Sequence, residues 1–219
     1  ATFTVRLNTQ PAADVTIGVS SSDTTEGTVS PATLTFTSAS WNVAQTVTVT
    51  GVDDAQVDGN VAYTIVTAAA TSSDANSNGL DGADVSVTNQ DNDTAGITVT
   101  PTSGLVTTET GGTATFTVVL NTQPAADVTI GLSTSDPTEG TVAPASLVFT
   151  TANWSTPQTV TVTGQNDDID DGDIAYTIVT AAATSTDAKY SGLDAADVSV
   201  TNTDNDTAGI TVSPTSGLT

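Results

Sequence analysis

Residues 165–173 read QNDDIDDGD and place five aspartates, Asp167, Asp168, Asp170, Asp171 and Asp173, within seven positions. The whole 219-residue chain has two basic side chains, Arg6 and Lys189, against 25 acidic ones, a formal net charge of −23. Like charges about 4 Å apart repel by roughly 1 kcal/mol in water and by about 4 kcal/mol near a protein surface. Such a loop is either splayed in solvent or organised around positive charge that the polypeptide does not supply. Oxygen-only, carboxylate-rich donor sets suit hard cations, and Ca²⁺ takes about six to eight oxygens.

The same composition excludes other chemistry. With so few Lys and Arg there is no basic patch to neutralise phosphates, so nucleic acid is not an expected partner. The chain has no Cys and no His, which removes thiolate and imidazole nucleophiles, bases and metal ligands. Paired carboxylates can hydrolyse glycosides, but these lie on loops without an aromatic subsite or an apolar wall to raise one pKa. No enzyme activity is expected. No apolar run reaches the length of a membrane span, so no membrane insertion is expected within this segment. Two known calcium motifs also fail. An EF-hand with Gly172 at its sixth position would put Ile169 and Ile178 where ligands are required. The glycine-rich nonapeptide repeat is absent.

The acidic loop belongs to a repeat. ATFTV begins at Ala1 and Ala114, LNTQPAADVTIG at Leu7 and Leu120, QTVTVTG at Gln45 and Gln158, AYTIVTAAATS at Ala62 and Ala175, and DNDTAGITV at Asp91 and Asp204. The spacing is always 113 residues, without insertion or deletion. A period of this length suits one independent domain rather than a solenoid unit. The chain falls seven positions short of two periods, the absent ones corresponding to Thr107–Thr113. The expected organisation is repeat 1 over residues 1–93, repeat 2 over 94–206, and the first strand of a following repeat over 207–219. A window cut from a longer tandem array explains this phase. Alternatively, residues 207–219 are donated to another subunit's first repeat, an isolated strand seeking an edge.

Each repeat reads as all-β. Thr and Val alternate in QTVTVTG, which sets Val160 and Val162 on one face and Thr159, Thr161 and Thr163 on the other. Similar patterns put Ala114, Phe116, Val118 and Leu120 inward in ATFTVVL, and Val128, Ile130 and Leu132 inward in DVTIGL. LVF (147–149), IAYTI (174–178), VSV (198–200) and GITV (96–99) complete seven strands in about 110 residues, the size of an immunoglobulin-like sandwich. Trp41, Trp154, Tyr63 and Tyr176 are expected to pack in the core or at strand ends.

Chain direction then sorts the acids. If successive strands are antiparallel, alternate connections lie at the same end of the sandwich. One end of repeat 2 collects Glu109, Asp136, Glu139, the loop Asp167–Asp173, Asp204 and Asp206, which are ten of the fourteen acids between residues 95 and 206. Acids that only solubilise would be scattered. A set converging from four segments predicts a multi-ligand Ca²⁺ site or a small cluster of sites.

TTETGGTATFTVVL, GLSTSDPTEGTV, VTVTGQNDDIDDGD and VSVTNTDNDTAGITV, in this order, resemble the Calx-β domain, over nearly the whole of each period. The family is known from calcium-binding regions of sodium–calcium exchangers, from integrin β4, and from large repetitive bacterial surface proteins. The tandem array is similar to the last of these. The resemblance implies tandem seven-stranded immunoglobulin-like β-sandwiches with Ca²⁺ bound at one end. The implied ligands are Glu109, Asp136, Asn166, Asp167, the Ile169 carbonyl, Asp171, Asp204 and Asp206, and in repeat 1 Asp23, Asp53, Asp54, Asp58, Asp91 and Asp93. The family's fuller DDD ending is DND here in both copies, and repeat 1 carries Ala55 and Asn60 where repeat 2 carries Asp168 and Asp173. Site one is therefore expected to be the weaker or less complete.

The expected function is a calcium-binding structural repeat of an extracellular filament, adhesin stalk or sheath on a bacterial cell surface. Its partners would be neighbouring repeats or copies of itself. Carboxylates at the end facing the next repeat would repel without metal, and Ca²⁺ would lock the joint. The alternative is a Ca²⁺-dependent adhesive module that binds carbohydrate or a protein through the long segment Ala181–Asp197.

Overall fold

The computed structural model describes residues 1–217. It divides into two units, Ala1–Asn92 and Asp93–Thr219, each built from strands whose two-residue alternation sends one face inward. Unit 1 contains β1 (Thr2–Val5), β2 (Val15–Ser21), β3 (Gly27–Ser30), β4 (Thr33–Phe36), β5 (Gln45–Gly51), β6 (Val61–Thr67), β7 (Thr71–Ser72) and β8 (Val85–Asn89). One sheet runs β1-β5-β3, and the other runs β4-β2-β6-β8 with β7 beside β2. Val15, Val19, Leu34, Phe36, Val47, Val49, Tyr63 and Ile65 form the core between them.

Unit 2 contains β9 (Ile97–Thr100), β10 (Leu105–Thr108), β11 (Thr113–Leu120), β12 (Val128–Thr134), β13 (Gly140–Ala143), β14 (Ser146–Phe149), β15 (Gln158–Gly164), β16 (Ile174–Thr180) and β17 (Val198–Thr203). Its sheets are β13-β15-β11-β9 and β10-β17-β16-β12-β14. Phe116, Val118, Ile130, Phe149, Val160, Val162, Ile178 and Val198 are essentially inaccessible to solvent, while Thr159, Thr161 and Thr163 on the alternate face of β15 are not buried. The fold is therefore all-β, two tandem sandwiches of immunoglobulin-like architecture.

The seven anticipated strands of unit 2 are joined by two more segments. The first strand is split. β9 pairs antiparallel with β11, with Val99 opposite Val118, and β10 pairs parallel with β17, with Leu105 opposite Val200. Pro101 has no N–H to continue a ladder, so the chain leaves one sheet there and joins the other. Thr102 marks the crossing, its carbonyl accepting from Ser199 N at 3.0 Å. The second addition, β13, is cut from β14 by Pro144 in the same way.

The aromatic residues serve packing. Tyr63 and Tyr176 are buried, Trp154 packs against the core, and Trp41 is half-buried. Tyr190, which is fully buried, anchors the long connection before β17, and its hydroxyl donates to the Thr122 carbonyl at 2.7 Å.

Candidate metal centre

Four segments of unit 2 meet where β15, β17 and the turns after β10 and β12 end. Glu109 lies in the tight turn between β10 and β11, Glu139 in the turn between β12 and β13, and Asp167–Asp173 in the connection from β15 to β16. Asp204 and Asp206 follow β17 directly. Hydrogen bonds tie these segments together. Asn205 donates to Glu109 Oε2 from its backbone N at 2.9 Å and from Nδ2 at 2.8 Å. The same Nδ2 reaches Asn166 Oδ1 at 3.0 Å. Gly172 N donates to Asp204 Oδ2 at 2.7 Å, aimed by a left-handed turn at φ +78° that only glycine adopts readily. Gly164 is obligatory for space, because a Cβ there would collide with the Thr108 carbonyl and Asn202 Oδ1.

This scaffold gathers carboxylates into two groups in unit 2, Glu109–Asp204–Asp206 and Glu139–Asp167–Asp171. Unit 1 has one, Glu26–Asp54–Asp58, at positions matching the second group. Within each group one oxygen from every residue lies within 4.8 Å of the others. Two ligands on a single Ca²⁺ at about 2.4 Å are separated by no more than about twice that distance, so one ion can touch all three.

Electrostatics make the groups costly without a cation. Glu109 and Glu139 are 4% and 6% exposed, yet unit 2 has one basic side chain, Lys189, in the connection between β16 and β17. Burial holds the Glu139 carboxyl above its ordinary range, and the charges of Asp171, Asp136 and Asp167 add to the rise against the opposing Asn202 hydrogen bond. Asp206 is also pushed up, by desolvation first and then by Asp204, Asp168, Asp167 and Asp170. Asp206 Oδ2 is buried with no hydrogen-bond partner. A buried, orphaned carboxylate oxygen beside other carboxylates has the chemistry of a ligand awaiting a cation. Asp204 goes the other way, lowered by the backbone N–H of Asp206 and then of Gly172. All donors are oxygen, which fits Ca²⁺ and does not fit a soft metal.

The other sequence-derived residues lie outside these three groups. Asp136 and Asp23 belong to neither kind of group. Asp136 Oδ1 accepts from Thr138 Oγ1 at 2.6 Å and Thr138 N at 3.0 Å, and Asp23 does the same with Thr25. These bonds, led by the threonine hydroxyl, lower both carboxyls. They hold the turn that presents Glu139 or Glu26 three residues on. Ile169 is exposed, its N–H donates to Asp167 Oδ1 at 2.8 Å, and its carbonyl accepts from Asp171 N at 3.0 Å. Asp53 occupies the place of Asn166. Asp91 Oδ2 accepts from Gly59 N at 2.7 Å, as Asp204 does from Gly172. Asp91 and Asp93 join no three-carboxylate group among the described residues, because the position matching Glu109 would precede Ala1. Asp173 is replaced by Asn60 without loss of geometry. Asp173 Oδ1 accepts from Asp204 N at 3.2 Å, and Asn60 Oδ1 accepts from Asp91 N at 3.0 Å.

Glu26 and Glu139 are site residues that the motif comparison did not name as ligands. Their signal is local: TEGTV occurs in both repeats, placing one carboxylate immediately before a short strand without charged residues, GTVS in β3 and GTVA in β13. Each accepts from an asparagine at the end of the last strand at 3.3 Å, Asn89 for Glu26 and Asn202 for Glu139.

No family model matches the sequence, and no curated protein matches it. Among solved structures, the chain is similar to CBD12 from CALX1.2, at 13% identity and TM-score 0.42, over 91% of this chain and 92% of that one. It is similar to the calcium binding domain CBD12 of CALX1.1 at 15% identity and TM-score 0.38, over 83% and 73% of the two chains. Domains 4 and 5 of the S-layer protein SbsC align at 14% identity and TM-score 0.33, over 86% and 70%.

Proposed function

We propose that the chain is a calcium-binding structural repeat of an extracellular, cell-surface assembly, with Ca²⁺ held at one end of each sandwich. The observation that carries this reading is the buried, unpartnered Asp206 Oδ2 within a group of three carboxylates that the polypeptide has no cation to neutralise. Glu109, Asp204 and Asp206 would hold one ion in unit 2, and Glu139, Asp167 and Asp171 a second. Glu26, Asp54 and Asp58 would hold one in unit 1. The bound cation supplies charge neutralisation and no chemistry. The hydrogen-bonded scaffold of Asn205, Gly172 and Asn202 orients the carboxylates. Binding, not turnover, is the use these groups are suited to.

Chain order supports a mechanical role. Asp91 and Asp93 follow β8 closely, and β9 starts at Ile97. Asp91 Oδ2 accepts from Gly59 N, next to Asp58, so an ion held by Glu26, Asp54 and Asp58 would also order the end of unit 1. Affinity of about 10⁻⁴–10⁻³ M is the range of extracellular calcium modules. No helix among the described residues is long and apolar enough to cross a membrane. The test is thermal unfolding of the 219-residue chain in EDTA and across a calcium titration, with magnesium as control. A large rise in midpoint that magnesium does not reproduce is expected. An unchanged midpoint, with no binding by calorimetry, would leave only a solvated acidic end.

A further inference from the structure

The long connection before the last strand is framed alike in the two units. Asp74 Oδ2 accepts from Ala12 N at 3.0 Å, and Asp187 Oδ2 accepts from Ala125 N at 2.8 Å. The Ala70 carbonyl accepts from Gly79 N at 2.7 Å, and the Ala183 carbonyl accepts from Gly192 N at 2.8 Å. Gly79 and Gly192 both have φ +80°, in the left-handed region that glycine favours. The backbone thus sets one frame twice.

Two side chains within the frame differ. Unit 2 has Tyr190 and Ala195 where unit 1 has Ser77 and Gly82. The Tyr190 ring is 1% exposed, and its hydroxyl donates to the Thr122 carbonyl and accepts from Thr122 N at 3.1 Å. Unit 1 lacks the ring and the methyl, and its frame has not collapsed into the space. A cleft of about 300 Å³ is left there, bordered by Leu7, Thr9, Val15, Ala70, Ser77 and Leu80. Ser77 Oγ is turned aside, donating to Asp74 Oδ2 at 3.1 Å. Thr9, the counterpart of Thr122, is exposed and makes no hydrogen bond among the described residues.

We propose that this cleft binds a small, neutral, single-ring phenol, seated as Tyr190 is seated in unit 2. The ring lies against Leu7, Val15, Ala70 and Leu80, and the hydroxyl donates to the Thr9 carbonyl and accepts from Thr9 N. A preformed apolar cleft with one convergent polar group is the usual form of a small-molecule site, and its volume is at the lower end of the common range of about 300–1,000 Å³. With an ordinary pKa of about 10, a phenol is uncharged at neutral pH. A second copy of the chain does not supply the ring, since Tyr63, Tyr176 and Tyr190 are all buried. The site is set by positions 77 and 82, inside the repeat, and is independent of calcium.

The test is titration of the 219-residue chain with p-cresol, the tyrosine side chain as a free molecule, read by amide NMR shifts. One site with a dissociation constant of about 1 mM is expected, the scale for so small a ligand, with shifts centred on Thr9, Ala70 and Leu80. Toluene, which lacks the hydroxyl, should bind about fivefold more weakly, the loss of one ordinary hydrogen bond. Ser77→Tyr supplies the ring from the chain itself and should abolish the shifts at Thr9. Tyr190→Ser combined with Ala195→Gly should create a second site, read at Thr122 and Ala183, in a unit where β9 covers β11. p-Cresol should also raise the melting midpoint of that weakened unit. No shifts at Thr9 up to about 10 mM, ten times the expected constant, would overturn the proposal, as would shifts that survive Ser77→Tyr. Toluene bound as tightly as p-cresol would overturn the phenol class. A double variant whose unit 2 takes up no p-cresol would tie the cleft to the edge of β1 and overturn the site.

Discussion

The two units are near-copies in sequence, and their differences are concentrated at one edge and one end. Both have the same hydrophobic alternation, the same Asp-x-x-Glu turn and the same left-handed glycine aimed at an aspartate. Unit 2 includes the strap of β9 and β10 and the Glu109 carboxylate group, whose unit 1 counterparts would precede Ala1, and it has Tyr190 where unit 1 has Ser77. Around Ser77 lies a cleft of about 300 Å³, with Leu80 exposed beside it; Leu193, the matching residue, is partly buried against the core. The lesson is that a core residue's identity does not set its contribution. Phe3 and Phe116 are the same side chain in the same strand, and only one of them has the opposing layer complete.

The sharpest test of the contrast is metal removal. One site filled at about a hundred times its dissociation constant adds about 2.7 kcal/mol to stability. Calorimetry with and without EDTA should therefore show the unit 2 transition shifting about twice as far as that of unit 1. Glu109→Gln should cut the unit 2 shift to about one site's worth. Equal shifts in the two parent units would break the two-against-one assignment.

Truncations come next. Phe116→Ala should cost unit 2 about 3–5 kcal/mol, as for a fully buried aromatic. Phe3→Ala, with less area removed from water, should cost unit 1 only about 1–2 kcal/mol, measured by urea unfolding of each transition. Tyr190→Ser should destabilise unit 2 by about 3 kcal/mol through the lost ring and the vacated Thr122 partner. The reverse change, Ser77→Tyr, should stabilise unit 1 by about 0.5–1 kcal/mol as its cleft fills.

The smallest effect is in pH. Burial raises the folded pKa of Glu139 above its ordinary 4.5, so between those values the metal-free fold holds a proton that the unfolded chain has released. Its contribution is best below the ordinary value and is lost as pH rises through the folded one. Asp204 and Asp136, both lowered, contribute in the opposite sense, above the ordinary 3.8, and lose their contribution as pH falls. Glu139→Gln should therefore raise the neutral-pH midpoint in EDTA and lower it in calcium. A midpoint that moves the same way in both buffers would remove Glu139 from the ligand set.

Much of this was legible from residue order. Alternation in QTVTVTG, ATFTVVL and IAYTI marks strands whose inward residues are buried in unit 2, apart from the partly buried Ala114 and Ile174 at their starts, and antiparallel counting brings the acids of four connections to one end. Two features were not legible. The split of the first strand depends on which sheet the chain joins after Pro101, and the alternation in LVTT carries no such information. Glu139, which antiparallel counting placed at the acidic end, and Glu26 were left out of the ligand set for a different reason. A ligand set carried over by motif gives weight to the aspartates that begin a turn, whereas packing buries the glutamate three residues later. Asp136 and Asp23 form their bonds within the turn itself, leaving Glu139 and Glu26 to face the acidic loop.

The strap has a consequence for load. Pulling on the two ends of unit 2 applies force where the chain enters it, near Ile97, and where it leaves, after Thr203. Because β10 runs parallel to β17, with Leu105–Thr108 beside Val200–Thr203, tension along the chain slides these two strands past each other rather than peeling them apart. The ladder's hydrogen bonds are then strained together instead of one after another. The crossing at residues 101–104 thus makes the first and last strands a shear clasp, and a pulling experiment would meet its main resistance there.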